Sequence, residues 1–85
     1  MKKNVMVIGM GLRRAGTSKK GNAYDFIPMT FSYTDKSFEG VRAFEVNVDS
    51  AELETVPGLC IGEEITVYCH EQNFQMRLDG IVGRA

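Results

Sequence analysis

Cations followed by aromatic residues mark one stretch near the amino terminus. Between positions 13 and 20 the chain carries two adjacent arginines and two adjacent lysines, and the first acidic residue of the chain is Asp25. Tyr24 and Phe26 flank that residue, and because side chains alternate along a strand, the two rings share one strand face. Cations that hold phosphates and rings that stack on bases are the components of a groove for single-stranded nucleic acid. The alternative is a solvated basic hairpin whose aromatic residues belong to the core.

A turn is predicted within this stretch. Gly21 and Asn22 both tolerate the positive φ angles that primed β-turns require, so the pair predicts a two-residue hairpin turn. The residues on either side then form a two-stranded ribbon. We call residues 13–26 the wing.

Charge is distributed unevenly along the chain. The formal net charge is −1. Residues 1–24 hold six cations and no acid, whereas residues 25–85 hold four cations and all eleven acids. This asymmetry predicts one basic surface on an otherwise acidic protein.

The residues that most often carry catalysis or bind metals are few and scattered. Cys60, Cys69 and His70 match no metal-ligand spacing, and His70 falls on the polar face of a predicted strand without a nucleophile pattern nearby. We therefore expect no enzyme, no metal and no cofactor. The chain also lacks a signal-peptide pattern and the roughly 20 apolar residues of a membrane span, so we expect a reduced cytoplasmic protein.

The elements that position the wing are predicted to be strands within one domain, residues 1–85. Ser50 to Glu54 predicts one helical turn capped by Ser50, and Pro57-Gly58 fits a type II turn. Short strands with regular turns predict a small all-β barrel, and the pattern does not separate an OB-like barrel from an SH3-like one. The five strand candidates are residues 4–12, 23–33, 41–48, 64–70 and a strand that starts at Phe74.

Two strands carry irregular apolar patterns. Residues 4–12 are apolar on both faces, with Val5, Val7 and Gly9 on one face, which predicts burial on both sides or a partner subunit. In residues 23–33 the large apolar side chains move from even positions before Pro28 to odd positions after it. One inserted residue would cause that change of face, so a β-bulge is predicted at Pro28.

Residues 16–26 (GTSKKGNAYDF) resemble the DNA-binding wing of the filamentous-phage single-stranded DNA-binding proteins, the gene-five type. Pro57-Gly58-Leu59, followed by a strand and by Phe74 in a late hairpin, resembles the same family further along. The resemblance implies a five-stranded OB-like Greek-key barrel with a protruding β-hairpin wing. It also implies a non-enzymatic helix-destabilising protein that coats viral single strands during DNA replication in the host cytoplasm. Its partners would be single-stranded DNA, RNA by the same chemistry, and further copies of itself, as a homodimer and a cooperative oligomer on DNA.

The same resemblance implies a set of contact residues. Phe74 would complete the binding surface of the partner subunit, although it also shares a predicted strand face with Met76 and Leu78 and is core on that interpretation. Tyr33 matches the family's mid-chain stacking tyrosine with a shift of one residue, and Phe31 competes for that role. The predicted DNA-binding residues are Arg14, Lys19, Lys20, Tyr24, Phe26, Tyr33, Arg42, Phe74 and Arg77.

The chain departs from the family pattern in its charges. Asn22 and Ala23 stand where a basic residue and a proline are common, and the central basic contact falls near Phe44 and Glu45. A less basic binding channel is expected. Two alternatives stay open: a host or plasmid OB-fold binder of single-stranded nucleic acid, and a small β-barrel module whose wing binds an acidic protein partner.

Overall fold

The computed structural model describes residues 1–85 as one antiparallel sheet of six strands with a single helical turn. The all-β prediction is confirmed. There are six strands rather than five because the first arm of the wing is a strand in its own right. The elements are β1 (Lys2–Met10), β2 (Arg14–Thr17), β3 (Ala23–Asp35), β4 (Phe38–Asp49), α1 (Ser50–Leu53), β5 (Glu64–Gln72) and β6 (Gln75–Arg84).

The long strand β3 organises the sheet. Its first half pairs with β2 and its second half with β1 along one edge, while β4 runs along the other edge. The outer strands are β2 and β6, at the two ends of the order β2-β3-β1-β5-β6, and β4, which pairs only with β3. Strands β4 and β6 come close without a hydrogen-bonded ladder between them. Glu52 of α1 links the two sides, because its Oε2 accepts a hydrogen bond of 3.1 Å from the Ile81 amide of β6.

The hydrophobic core lies on the inner faces of these strands. It contains no buried polar or charged residue. Alternation placed Val48 on β4 and Ile65, Val67 and Cys69 on β5 inward, and all four are buried. Each fully buried aliphatic side chain contributes roughly 1.5–3 kcal/mol to folding. The core residues are Val5, Val7, Met29, Phe31, Tyr33, Val48, Val56, Ile65, Val67, Cys69, Met76 and Ile81.

The predicted β-bulge at Pro28 is wrong, and the strand that pairs with this part of β3 is irregular instead. The β3–β4 ladder runs without a shift from Phe26 to Thr34, with Pro28 opposite Asn47. Instead, Val7 pairs with Phe31 and Gly9 pairs with Thr30, so the irregularity falls at Ile8. Residues after Ile8 consequently exchange the faces that alternation had assigned to them. The wing aromatics need no change of face, since Tyr24 and Phe26 lie opposite the core face of β3.

The late hairpin turns at Asn73 and Phe74. Both residues have positive φ, 53° and 63°, and the flanking Gln72 and Gln75 pair with each other. Positive φ at both central residues is the signature of a type I′ turn. The prediction that Phe74 begins a strand and packs with Met76 is therefore wrong, and its side chain is 98 % exposed.

The helical turn α1 forms where predicted, but its cap differs. Asp49 precedes the first helical residue and makes no side-chain cap hydrogen bond. The Ser50 hydroxyl is used elsewhere, in a contact to Asp25. No helix in the structure has the length and apolarity needed to cross a membrane.

Candidate nucleic-acid interface

The wing reverses direction through three residues. The Ser18 amide donates to the Asn22 carbonyl (2.8 Å) and the Gly21 amide donates to the Ser18 carbonyl (2.9 Å). Gly21 has a φ of 84°, whereas Asn22 does not have positive φ. This is the arrangement of a three-residue loop with a left-handed glycine, and the predicted two-residue turn is wrong. Lys19 and Lys20 therefore lie at the tip of the wing, both exposed.

The wing has four cationic side chains, of which one forms an ion pair and three do not. The Arg13 guanidinium donates to both carboxylate oxygens of Asp25. Arg14, Lys19 and Lys20 are exposed and make no ion pair within the chain. The only acid of the wing thus neutralises Arg13 and leaves the charges of the other three available to a ligand.

Asp25 also fastens the wing to the body. Besides the Arg13 contacts, Asp25 Oδ1 accepts a hydrogen bond of 2.7 Å from the Ser50 hydroxyl of α1. The hydrogen bonds from Arg13 and Ser50 lower the pKa of Asp25 to about 2, because both favour the ionised carboxylate. At neutral pH the ionised carboxylate of Asp25 therefore binds the base of the wing to α1.

The aromatic residues of the wing form a small partly exposed surface. Tyr24 is 43 % exposed, Phe26 is half-buried, and their ring centroids are 5.9 Å apart. Gly16 pairs with Tyr24, and a Cβ at Gly16 would lie 2.9 Å from the Tyr24 hydroxyl. Because Gly16 has no side chain, the Tyr24 ring can lie over β2 at this position. Neither ring belongs to the core cluster, so the alternative of core aromatics is wrong for this pair.

A second group of predicted residues lines an open space between β4 and the start of β6. Arg42, Phe74 and Arg77 all contribute to this space of about 460 Å³. The guanidinium of Arg42 already has partners within the chain, because it donates a hydrogen bond to Asp35 (3.3 Å) and lies 5.5 Å from the ring centroid of Phe38. Arg77 is exposed and makes no ion pair.

Tyr33 and Phe31 are core residues. Tyr33 is 7 % exposed, its ring lies 5.8 Å from that of Phe44, and the Lys3 ammonium lies 5.0 Å from the centroid of the Tyr33 ring. Phe31 is fully buried. Their odd positions on β3 place both on the core side of the sheet, and Phe31 has no surface on which a base could stack. Tyr33 also lines the space shared by Arg42 and Phe74, so base stacking on Tyr33 stays a prediction.

Sequence reasoning missed the middle of the interface. A second space of about 680 Å³, lined by Gly9, Gly11 and Pro28, adjoins the first and extends it towards the wing. We call the two spaces together the groove. A Cβ at Gly9 would lie 3.3 Å from the Thr30 side chain, and one at Gly11 would lie 3.3 Å from Pro28. Glycines inside a strand pattern often mark a close approach, and this was the available signal. Both spaces are lined by Thr30, Glu45, Met76 and Arg77.

Other polar groups lie outside the wing and groove. His70 Nδ1 is within hydrogen-bond distance of both Asp79 carboxylate oxygens, at 2.8 and 2.9 Å, on an exposed part of β5 and β6. Cys60 is exposed and Cys69 is buried, and they are not joined. Burial raises the pKa of the Cys69 thiol, which disfavours a reactive thiolate there.

Comparison with known proteins finds no match, either to a family model, to a curated protein or to a solved structure.

Proposed function

We propose that the chain is a non-enzymatic single-stranded DNA-binding protein of the gene-five type, folded as an OB-like barrel with a protruding wing. It binds single strands largely without regard to sequence and coats them cooperatively during phage DNA replication in the host cytoplasm. RNA is bound by the same chemistry. The likeness of residues 16–26 to the family wing supports the assignment of the family.

One observation carries the proposal: three unpaired cations lie beside a partly exposed aromatic pair on one anchored hairpin. Phosphate contacts by Arg14, Lys19 and Lys20 would add affinity through counterion release. Stacking on the half-exposed ring of Tyr24 would add about 1–3 kcal/mol for each base. Neither contribution depends on the identity of the base, which suits a protein that coats long strands.

The groove supports a longer path for the strand. It leads from the exposed ring of Phe74, past Arg77, to the base of the wing at Gly11 and Pro28. A single strand that follows this path meets a ring at each end and a cation between them. Since Phe74 and Arg42 line the same space in one chain, the path does not require a residue from another subunit.

Intrinsic fluorescence offers a direct test. The chain has three tyrosines and no tryptophan, so tyrosine emission reports on binding. We expect poly(dT) to quench that emission at low salt, the quenching to weaken at high salt, and duplex DNA to bind more weakly. Tyr24→Phe should abolish most of the quenching while labelled oligonucleotide still binds, because stacking needs the ring and not the hydroxyl. Tyr68→Phe is the matched control, because Tyr68 is 50 % exposed on β5 outside the wing and groove.

Tyr24→Ala separates stacking from packing. We expect it to weaken DNA binding by about 1–3 kcal/mol with little change in melting temperature. Emission that ignores poly(dT) in the parent protein would contradict the proposal and favour the module that binds an acidic partner. A Tyr24→Ala protein that binds as tightly as the parent would remove the wing from the interface.

We further propose a homodimer. A domain of this size buries a limited core, and the segment that ends β1 leaves large apolar side chains exposed: Met6 (41 %), Ile8 (46 %), Met10 (38 %) and Leu12 (88 %). Sedimentation equilibrium at micromolar concentration should show a species of twice the chain mass. A 9.5 kDa species throughout that range would contradict the dimer.

A further inference from the structure

The middle of the groove contains an acid that nothing in the chain neutralises. Glu45 lines both spaces of the groove, is exposed, and makes no ion pair. It lies on β4 opposite Thr30 of β3, in a part of the ladder without register shifts. The backbone of Glu45 therefore lies in a regular part of the sheet.

This carboxylate decides which part of a nucleotide can lie beside it. A phosphate placed there would meet a like charge. Of the two arginines that line the groove, Arg42 is already bonded to Asp35, so Arg77 is the one cation that could compensate this charge. The wing, by contrast, presents three unpaired cations. The charges thus favour phosphates on the wing and near Arg77, and an uncharged base next to Glu45.

The chemistry of a carboxylate then selects among the bases. An ionised carboxylate only accepts hydrogen bonds, through two oxygens side by side. The Watson–Crick edge of guanine presents two parallel donors, N1–H and N2–H, that match this pair. Cytosine and adenine present one amino group beside an acceptor nitrogen, and thymine presents one N–H between two carbonyl oxygens. Exposed base edges of single strands are read in this way elsewhere.

We infer that the groove is a base-reading site in which Glu45 selects guanine. This rests on the proposed function and refines it: the wing binds any sequence, and the groove adds a preference for a single strand that contains guanine. Phe74 lines the same space as Glu45 and supplies an exposed ring on which the base can stack. Arg77 lines it as well and supplies a cation for the adjacent phosphate.

The test compares three short oligodeoxythymidylates that differ at one central position, which is thymine, hypoxanthine or guanine. Hypoxanthine keeps N1–H and lacks the N2 amino group, so it removes one of the two donors and nothing else. We expect the guanine oligonucleotide to bind about five- to tenfold tighter than the thymine one, with hypoxanthine between them, as bidentate base contacts do elsewhere. Glu45→Gln should remove most of this discrimination. Glu39→Gln, an exposed acid on the same strand outside the groove, should leave it unchanged.

Each other outcome overturns the inference. Equal affinity of the parent protein for all three oligonucleotides would show that Glu45 reads no base and would leave the single-strand binding itself intact. Glu45→Gln binding all three more tightly, with a steeper salt dependence, would show that the groove carries phosphates. Absence of binding to any of the three would overturn this inference together with the proposed function.

Discussion

The wing and the β5–β6 hairpin are both antiparallel hairpins, and they reverse the chain under different backbone constraints. In the wing a glycine takes the left-handed position, and Asp25 anchors the base to Arg13 and Ser50. In the β5–β6 hairpin the left-handed positions are taken by Asn73 and by Phe74, a bulky residue for which positive φ is costly. The wing, which is not strained, carries three unpaired cations, whereas the strained hairpin carries the fully exposed ring and one unpaired cation, Arg77. On the proposed function the wing would therefore supply most of the phosphate contacts together with the ring of Tyr24, and the β5–β6 hairpin would supply the ring of Phe74.

The largest effect is expected from the charges at the wing tip. Replacing Lys19 and Lys20 with alanine should weaken binding to different sequences about equally, because phosphate contacts carry no base information. The slope of log K against log salt should fall by roughly 0.7 for each lost contact on a single strand. Titrations at several salt concentrations measure this slope.

Lys36→Ala is the control for that experiment. Lys36 is an exposed lysine at the β3–β4 turn, away from the wing in the fold, and its replacement should leave the slope unchanged. An unchanged slope in the Lys19 and Lys20 variant would show that the phosphates bind to another surface and not to the wing tip.

Phe74→Gly should have an intermediate effect, and it should raise the stability of the fold while it weakens the binding of single strands. Asn-Gly is a favoured type I′ pair, and a 98 % exposed ring has almost no packing to lose, so the free energy of unfolding should rise by about 1 kcal/mol. In a domain of this size that raises the melting temperature by about 4–8 °C. Binding of single strands should weaken at the same time, because the ring is removed from the groove.

Phe74→Ala completes this test, because it removes the ring and keeps a side chain at positive φ. It should weaken binding without the gain in melting temperature. If Phe74→Gly melts at the parent temperature, the strain assigned to this turn is wrong. Full affinity in Phe74→Ala would instead remove the ring from the interface.

The smallest effect is expected at the base of the wing and concerns pH. Because the pKa of Asp25 is lowered from 3.8 to about 2, its contacts stabilise the folded protein above pH 3.8 and are lost as the pH falls through about 2. The protection of the β2 amides, measured as the ratio of the intrinsic to the observed exchange rate at each pH, should therefore fall in the parent protein as the pH drops between these values. Asp25→Asn should exchange faster at neutral pH and lack this acid-dependent change, and Ser50→Ala should fall between the two. The same acid dependence in the parent and in Asp25→Asn would assign the anchoring to other contacts.

The sequence predicted strand faces well where each strand was half-buried. On β4 and β5, apolar and polar residues alternate with period two, and the fold buries one set, as with Val48 and Val67. The wing was predicted for a similar local reason, since a glycine and polar residues between two short extended runs predict a β-hairpin. Both results depend on residues close together in the chain.

The errors concern features set by distant contacts. The shift of apolar residues from even to odd positions at Pro28 predicted a bulge there, whereas the two sets lie on opposite faces of β3 and the inserted residue lies in the partner strand at Ile8. Phe74 continued the alternation of Met76 and was assigned to the strand, because a Phe at positive φ is rare enough that no pattern predicts it. Tyr33 was placed by analogy, and its burial follows from the position of β1 beside β3.

The groove was not predicted at all, because it depends on side chains that are missing. Gly9 lies on β1 and Gly11 lies just after the end of that strand, and they clear space beside Thr30 and Pro28 of β3. Only the pairing of β1 with β3 brings these positions together. Glu45 accordingly stood out in the sequence as a departure from the basic family pattern, and its place in the groove became visible only with the fold.

The hydrogen bond from the Ile81 amide to Glu52 has a consequence for self-association. β6 is an outer strand, and an outer strand with free amides can recruit a strand from another molecule and begin a fibril. At Ile81 that amide already has a carboxylate partner, held 3.1 Å away by α1. An incoming strand would have to displace this charge before it could pair. The outer strand β6 is thereby protected, at this amide, from pairing with a strand of a neighbouring molecule.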